Sequence, residues 1–137
     1  MNAGADVVVK NVRQVRTSID ANDPMGGQAA EVLFAHASGT SATYSDSLVA
    51  AVTGKKIRVL SVWFTGDASN KMALQSGVHT AFTAISPAIP CTTAGQQIND
   101  PDFGLCQTAV SSALSVSWNA GSGSSAFDIT VAYVLVV

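Results

Sequence analysis

The C-terminal run Phe127-Asp128-Ile129-Thr130-Val131-Ala132-Tyr133-Val134-Leu135-Val136-Val137 constrains the fold more than any other part of the chain. Phe127, Ile129, Val131, Tyr133 and Leu135 fall at every second position, with Asp128, Thr130, Ala132 and Val134 between them. A period of two puts these sets on opposite faces of an extended strand, whereas a helix would space its apolar residues three and four apart. The residue types agree, since β-branched and aromatic side chains suit a pleated surface. Such a strand is not stable alone. It needs paired neighbours and a second layer over its apolar face.

Upstream segments supply candidates for both. Residues 31–37 alternate Val32, Phe34 and His36 against Leu33, Ala35 and Ala37, and residues 47–52 follow. The turn Thr53-Gly54-Lys55 leads into residues 56–64, where Val59 and Trp63 are expected on one face and Leu60, Val62 and Phe64 on the other. A strand apolar on both faces is central, or is covered by a neighbouring subunit. Residues 71–75, 79–85 and 103–107 are shorter candidates, and residues 113–118 place Leu114, Val116 and Trp118 inward with Ser115 and Ser117 outward. Residues 86–102 hold three of the four prolines and read as a long loop. About eight short strands with Gly-rich turns and no convincing helix define an all-β chain, an antiparallel β-sandwich of jelly-roll-like form. The missing crossover helices exclude a parallel α/β fold.

Residues 1–28 differ from the rest, and the sequence divides into an N-terminal arm, 1–28, and a β-sandwich domain, 29–137. The arm carries Lys10, Arg13 and Arg16 and ends in the breaker cluster Asn22-Asp23-Pro24-Met25-Gly26-Gly27. Val8, Val12, Val15 and Ile19 have helical spacing, but Val7-Val8-Val9 is β-branched. An extended arm or edge strand is expected, with a short helix as the rival reading.

Composition narrows the setting. Charged residues are 12% of the 137, where an ordinary soluble domain has about 25%. The net charge of -2 gives no basic footprint for nucleic acid. The longest apolar runs fall well short of the ~20 residues a membrane-spanning helix needs. The N-terminus lacks the basic and apolar regions of a signal peptide, so synthesis in a cytoplasm is expected. Charge is also unevenly placed. Lys10, Arg13, Arg16, Lys55, Lys56 and Arg58 are six of the seven basic residues, and residues 77–137 contain only Asp100, Asp102 and Asp128. So weakly charged a surface is hard to keep dispersed and suits contact with other protein, including copies of itself.

Catalytic and metal-binding patterns are sparse, and neither an enzyme nor a cofactor is expected. Histidine occurs only at His36 and His79, each read as a partly exposed sheet residue. Gly39-Thr40-Ser41-Ala42-Thr43 lacks the closing glycine of a nucleophile elbow. Thr53-Gly54-Lys55-Lys56 lacks the upstream glycine and the Ser or Thr of a phosphate loop, and reads as a hairpin turn. Asp100 and Asp102 flank Pro101 without the remainder of a calcium loop, so an Asx turn is expected rather than a metal site. Cys91 and Cys106 form no C-x-x-C; two free buried thiols are the reading in a reducing compartment, with a disulfide after release as the alternative. Lys55, Lys56 and Arg58 read as a solvated hairpin tip, with Arg58 on the face away from Trp63.

Four stretches together resemble the jelly-roll module of bacteriophage capsid decoration (cement) proteins and some fibre tips. They are Ala51-Val52-Thr53-Gly54-Lys55-Lys56-Ile57-Arg58-Val59-Leu60-Ser61-Val62, Leu74-Gln75-Ser76-Gly77, Ala113-Leu114-Ser115-Val116 and Asp128-Ile129-Thr130-Val131-Ala132-Tyr133-Val134. The resemblance covers about two-thirds of the chain, from Ala50 onward, and omits the arm. It implies a structural virion protein, commonly a homotrimer, without cofactor or chemistry of its own. Such a protein is made in the host bacterial cytoplasm and binds the major capsid protein on the capsid surface. On that footing Val7, Val8 and Val9 would add strand pairing, and Lys10, Arg13 and Arg16 would meet an acidic shell. Val59, Leu60, Val62, Trp63 and Phe64 would line the oligomer interface. No nucleic-acid or membrane partner is expected. The alternative is a fibre-tip or lectin-like module for a host receptor or glycan, with Trp118 beside Asn119, or the loop bearing Gln96, Gln97 and Asn99, as the platform.

Overall fold

A computed structural model describes residues 31–41, 43–67, 70–78, 81–119 and 125–137. The arm residues Val7, Val8, Val9, Lys10, Arg13 and Arg16, and likewise His79, lie outside the described residues. Among those described there are ten strands and no helix. They are β1 (Leu33–Ser41), β2 (Thr43–Val49), β3 (Lys56–Gly66), β4 (Lys71–Val78), β5 (Ala81–Ala84), β6 (Ile89–Pro90), β7 (Gln96–Asn99), β8 (Cys106–Gln107), β9 (Leu114–Asn119) and β10 (Ser125–Val136).

The strands form two antiparallel five-stranded sheets. The first runs β1-β10-β3-β7, with β8 also paired to β3; the second runs β2-β9-β4-β5, with β6 also paired to β4. Each position in one order is matched in the other by a strand close to it in the chain: β1 by β2, β10 by β9, β3 by β4, and β7 by β5. The consecutive pairs β1–β2, β3–β4 and β9–β10 therefore straddle the two layers, which is the wiring of a jelly roll. The expected antiparallel β-sandwich is what forms.

The main core lies between the sheets. β10 contributes Phe127, Ile129 and Val131, β9 contributes Leu114, Val116 and Trp118, and β4 contributes Met72 and Leu74. The inward faces of β9 and β10 are those their alternation predicts. Trp118 reaches across the layers to Phe127, ring centroids 5.3 Å apart and tilted by 40°.

β3 departs from the expected alternation, and the cause is local. It pairs with β10 through Val62↔Val131 and Ser61↔Ala132, then Val59↔Tyr133, so Leu60 is an extra residue opposite a single partner. Such a β-bulge switches the strand's parity. Val59 joins Val62 and Phe64 in the main core, while Leu60, Ser61 and Trp63 take the outward side. Leu60 packs there with Val134 and Val136 in a second, smaller buried cluster. Arg58, paired to Val134, shares this outward face with Trp63 rather than opposing it.

Two further corrections concern loops. β6 and β7 fall inside residues 86–102, where a long loop was expected. Gln96-Gln97-Ile98-Asn99 has one apolar side chain, and its strand state comes from pairing with β3 over Ser61 to Phe64. Residues 103–107 shorten to β8, because Asp100 Oδ1 accepts hydrogen bonds from the Asp102 and Phe103 amides at 3.2 and 3.0 Å. That is the expected Asx turn, and it leaves Phe103 81% exposed. The turn before β3 forms, but not as the expected hairpin, because it carries the chain from β2 in the second sheet to β3 in the first. Lys55 N donates to Val52 O at 3.0 Å, and Gly54 supplies the positive φ of 72° that a type II turn needs at its third residue.

Candidate binding surface

The outward face of the first sheet carries the most functional character among the described residues. The register lays out one row across four strands: His36 on β1, Thr130 on β10, Trp63 on β3 and Gln97 on β7. The adjacent row toward the start of β1 holds Phe34, Ala132, Ser61 and Asn99. The row on the other side holds Ser38, Asp128 and Thr65. Trp63 is 37% exposed and Phe34 65%, large rings left open on a sheet whose opposite side is packed. Gln97 and Asn99 are exposed too, because β7 sends Ile98 toward the core.

Polar groups on this face are organised. His36 Nε2 lies 3.1 Å from Asp128 Oδ1, a contact that ties the edge strand β1 to β10 with both side chains about half exposed. Beside Trp63 is a shallow depression of about 350 Å³, lined by Thr65, Gly95, Gln96 and Gln97 among others. Farther along, Arg58 donates from Nε and Nη2 to Gln107 Oε1 at 3.2 and 3.1 Å. Arg58 is therefore engaged, and Lys55, Lys56 and Arg58 are all half-buried beside a turn between the sheets instead of forming a freely solvated hairpin tip.

The residues assigned to an oligomer interface divide. Val59, Val62 and Phe64 are buried in the core of the same chain, and Leu60 belongs to the smaller cluster on the outward side. Of the five, Trp63 alone reaches the surface. Trp118 is 2% exposed and offers no platform, while Gln97 and Asn99 do face solvent. The aromatic ring that accompanies those amides is Trp63, and no period-two reading could pair them, since β7 was not recognisable as a strand.

The thiols offer no reactive site at neutral pH. Cys91 and Cys106 are free. Burial away from water disfavours the thiolate and raises each pKa to about 11. No group of three or more His, Cys, Asp or Glu side chains among the described residues is placed to hold a metal ion.

Fold and surface together define a jelly-roll β-sandwich that presents an aromatic, amide-rich sheet face. Among solved structures, the chain is similar to a chain of the cyanophage Pam1 capsid asymmetric unit, at 16% identity and a TM-score of 0.43, over 77% of this chain and 85% of that one. No protein-family model and no curated protein matches the sequence.

Proposed function

We propose that the protein is a structural component of a phage virion that binds the outer capsid surface as an oligomer and cements the shell, without catalytic activity. The observation that carries this reading is where the decoration-protein pattern falls. Its stretches occupy β3, β4, β9 and β10, the inner strands of both sheets, and the turn that Gly54 closes before β3. The pattern thus coincides with the framework of the sandwich. The sparse charge of residues 77–137 supports a surface held against other protein.

In this reading the arm, residues 1–28, engages the major capsid protein. Val7, Val8 and Val9 contribute strand pairing, and Lys10, Arg13 and Arg16 contribute charge. Self-association runs through apolar surface outside the core. The β4–β5 hairpin is the favoured place, since Val78 and Phe82 are 49% and 48% exposed there and every residue of β5 is exposed. A trimer multiplies a modest contact per subunit through effective concentration.

The test is co-sedimentation of the full chain with expanded capsids, beside a variant lacking residues 1–20. The full chain is expected to pellet with shells and to size as a trimer. The truncated chain should keep its β-sheet circular dichroism and lose shell binding. Full-affinity binding by the truncated chain refutes the role of the arm. A monomer that binds no shell refutes the reading as a whole.

A further inference from the structure

We infer that the outward face of the first sheet is a saccharide-binding surface centred on Trp63, taking neutral pyranose units. This inference stands on the geometry of that face and is independent of the capsid reading.

A pyranose ring has two kinds of surface. One face presents C–H groups, and the rim presents hydroxyls that both donate and accept hydrogen bonds. The matching protein surface is an open aromatic ring surrounded by short-range groups with both functions. Trp63 supplies the ring, whose negative π-face attracts the positively polarised C–H groups. Gln97, its direct neighbour on β7, supplies an amide with two donors and an acceptor. Thr130, its direct neighbour on β10, supplies a hydroxyl, and the Asp128 carboxylate lies one row away opposite Thr65. The shallow depression beside Trp63, about 350 Å³, leaves open space next to the ring, bordered by Thr65, Gln96 and Gln97, where a sugar unit can lie.

A second ring extends the surface. Phe34 is two strands and one row from Trp63, which sheet spacings convert to roughly 12 Å between Cα atoms. His36, Thr130 and Ala132 lie between them. The face therefore offers two apolar platforms with a polar centre, the arrangement for a chain of sugars lying across the strands.

A second copy of this protein is the competing occupant, and the chemistry of the face argues against it. The core of a protein interface is depleted in charge. This face instead carries the His36–Asp128 pair, which runs from the row of Trp63 to the row away from Phe34, with the amides of Gln97 and Asn99 at its margin.

The experiment uses tetrasaccharides of glucose, N-acetylglucosamine, galactose and mannose, titrated into the full chain and followed by the two indole N–H signals in nitrogen-15 spectra. At least one tetrasaccharide is expected to bind with a Kd below about 10 mM, shifting the Trp63 signal and leaving that of buried Trp118 in place. Trp63→Ala and Gln97→Ala should each weaken that binding, by at least about tenfold for the former. Three results each overturn the inference: no binding by any of the four, unchanged affinity in Trp63→Ala, or a Trp63 signal that moves only with protein concentration.

Discussion

Gly66 and Trp118 share one space across the sandwich. A Cβ on residue 66 of β3 would overlap Cη2 and Cζ2 of the Trp118 indole on β9. Trp118 is fully enclosed and packs on Phe127, which pairs with Gly66 in the first sheet. The missing side chain at residue 66 is thus the room that the largest core side chain needs. Gly66→Ala is expected to cost about 1–3 kcal/mol, the usual range for overpacking. Trp118→Phe in the same chain should recover part of that loss, because the two substitutions touch the same atoms. Urea midpoints of the four species measure the coupling, and strictly additive losses would contradict the shared space.

Regular alternation beyond the bulge makes adjacent positions of β3 opposite in kind. Val62 is 1% exposed in the main core, and Trp63 is 37% exposed on the outward face. Val62→Asp buries a carboxylate with no partner and should cost about 3–5 kcal/mol, a large part of the stability of an ordinary domain. Trp63→Asp should fold normally and unfold within about 1 kcal/mol of the parent. Circular dichroism with urea titration separates the two.

The bulge itself is testable by length rather than by chemistry. Deleting Leu60 removes the extra residue, so either Val59 and Ile57 or Val62 and Phe64 must turn away from the core. The deletion is expected to abolish cooperative unfolding. Leu60→Met keeps the count and should cost less than about 1.5 kcal/mol. Near-native stability of the deletion variant would mean that the register is not pinned there.

The thiols give a pH prediction. Burial raises Cys91 and Cys106 from 9.0 to about 11, so the unfolded chain ionises them first. Their contribution to stability is full below pH 9 and is lost as pH rises through about 11. Urea midpoints should fall across that interval, and less steeply in Cys106→Ala. Cys91 should also resist alkylation at pH 8 until the chain is unfolded, because it is 2% exposed. Rapid native-state labelling of Cys91 would contradict that burial.

Legibility from sequence followed the strength of the alternation. β9 and β10 were readable side by side, because Leu114, Val116 and Trp118, and Phe127, Ile129 and Val131, repeat at period two in uninterrupted runs. β7 was not, since Gln96-Gln97-Ile98-Asn99 carries one apolar residue among prolines and gains strand form only by lying on β3. The binding face suffered from the same gap. Trp63 was visible as an aromatic residue and Gln97 as an amide, but nothing local says that they are neighbours.

By itself the sequence determined an all-β chain, its most regular strands β9 and β10, the Asx turn at Asp100 and the sparse, unevenly placed charge, because these are fixed by composition, or by repeats or contacts within a few residues. The tertiary structure decided which side of β3 faces the core and which residues share a face. Both depend on Leu60 standing opposite no partner of its own on β10, a distant strand. An extra residue inside an apolar strand looks like any other until a second strand is laid against it. That pairing moved Val59 into the core and set Arg58 and Trp63 on the open face.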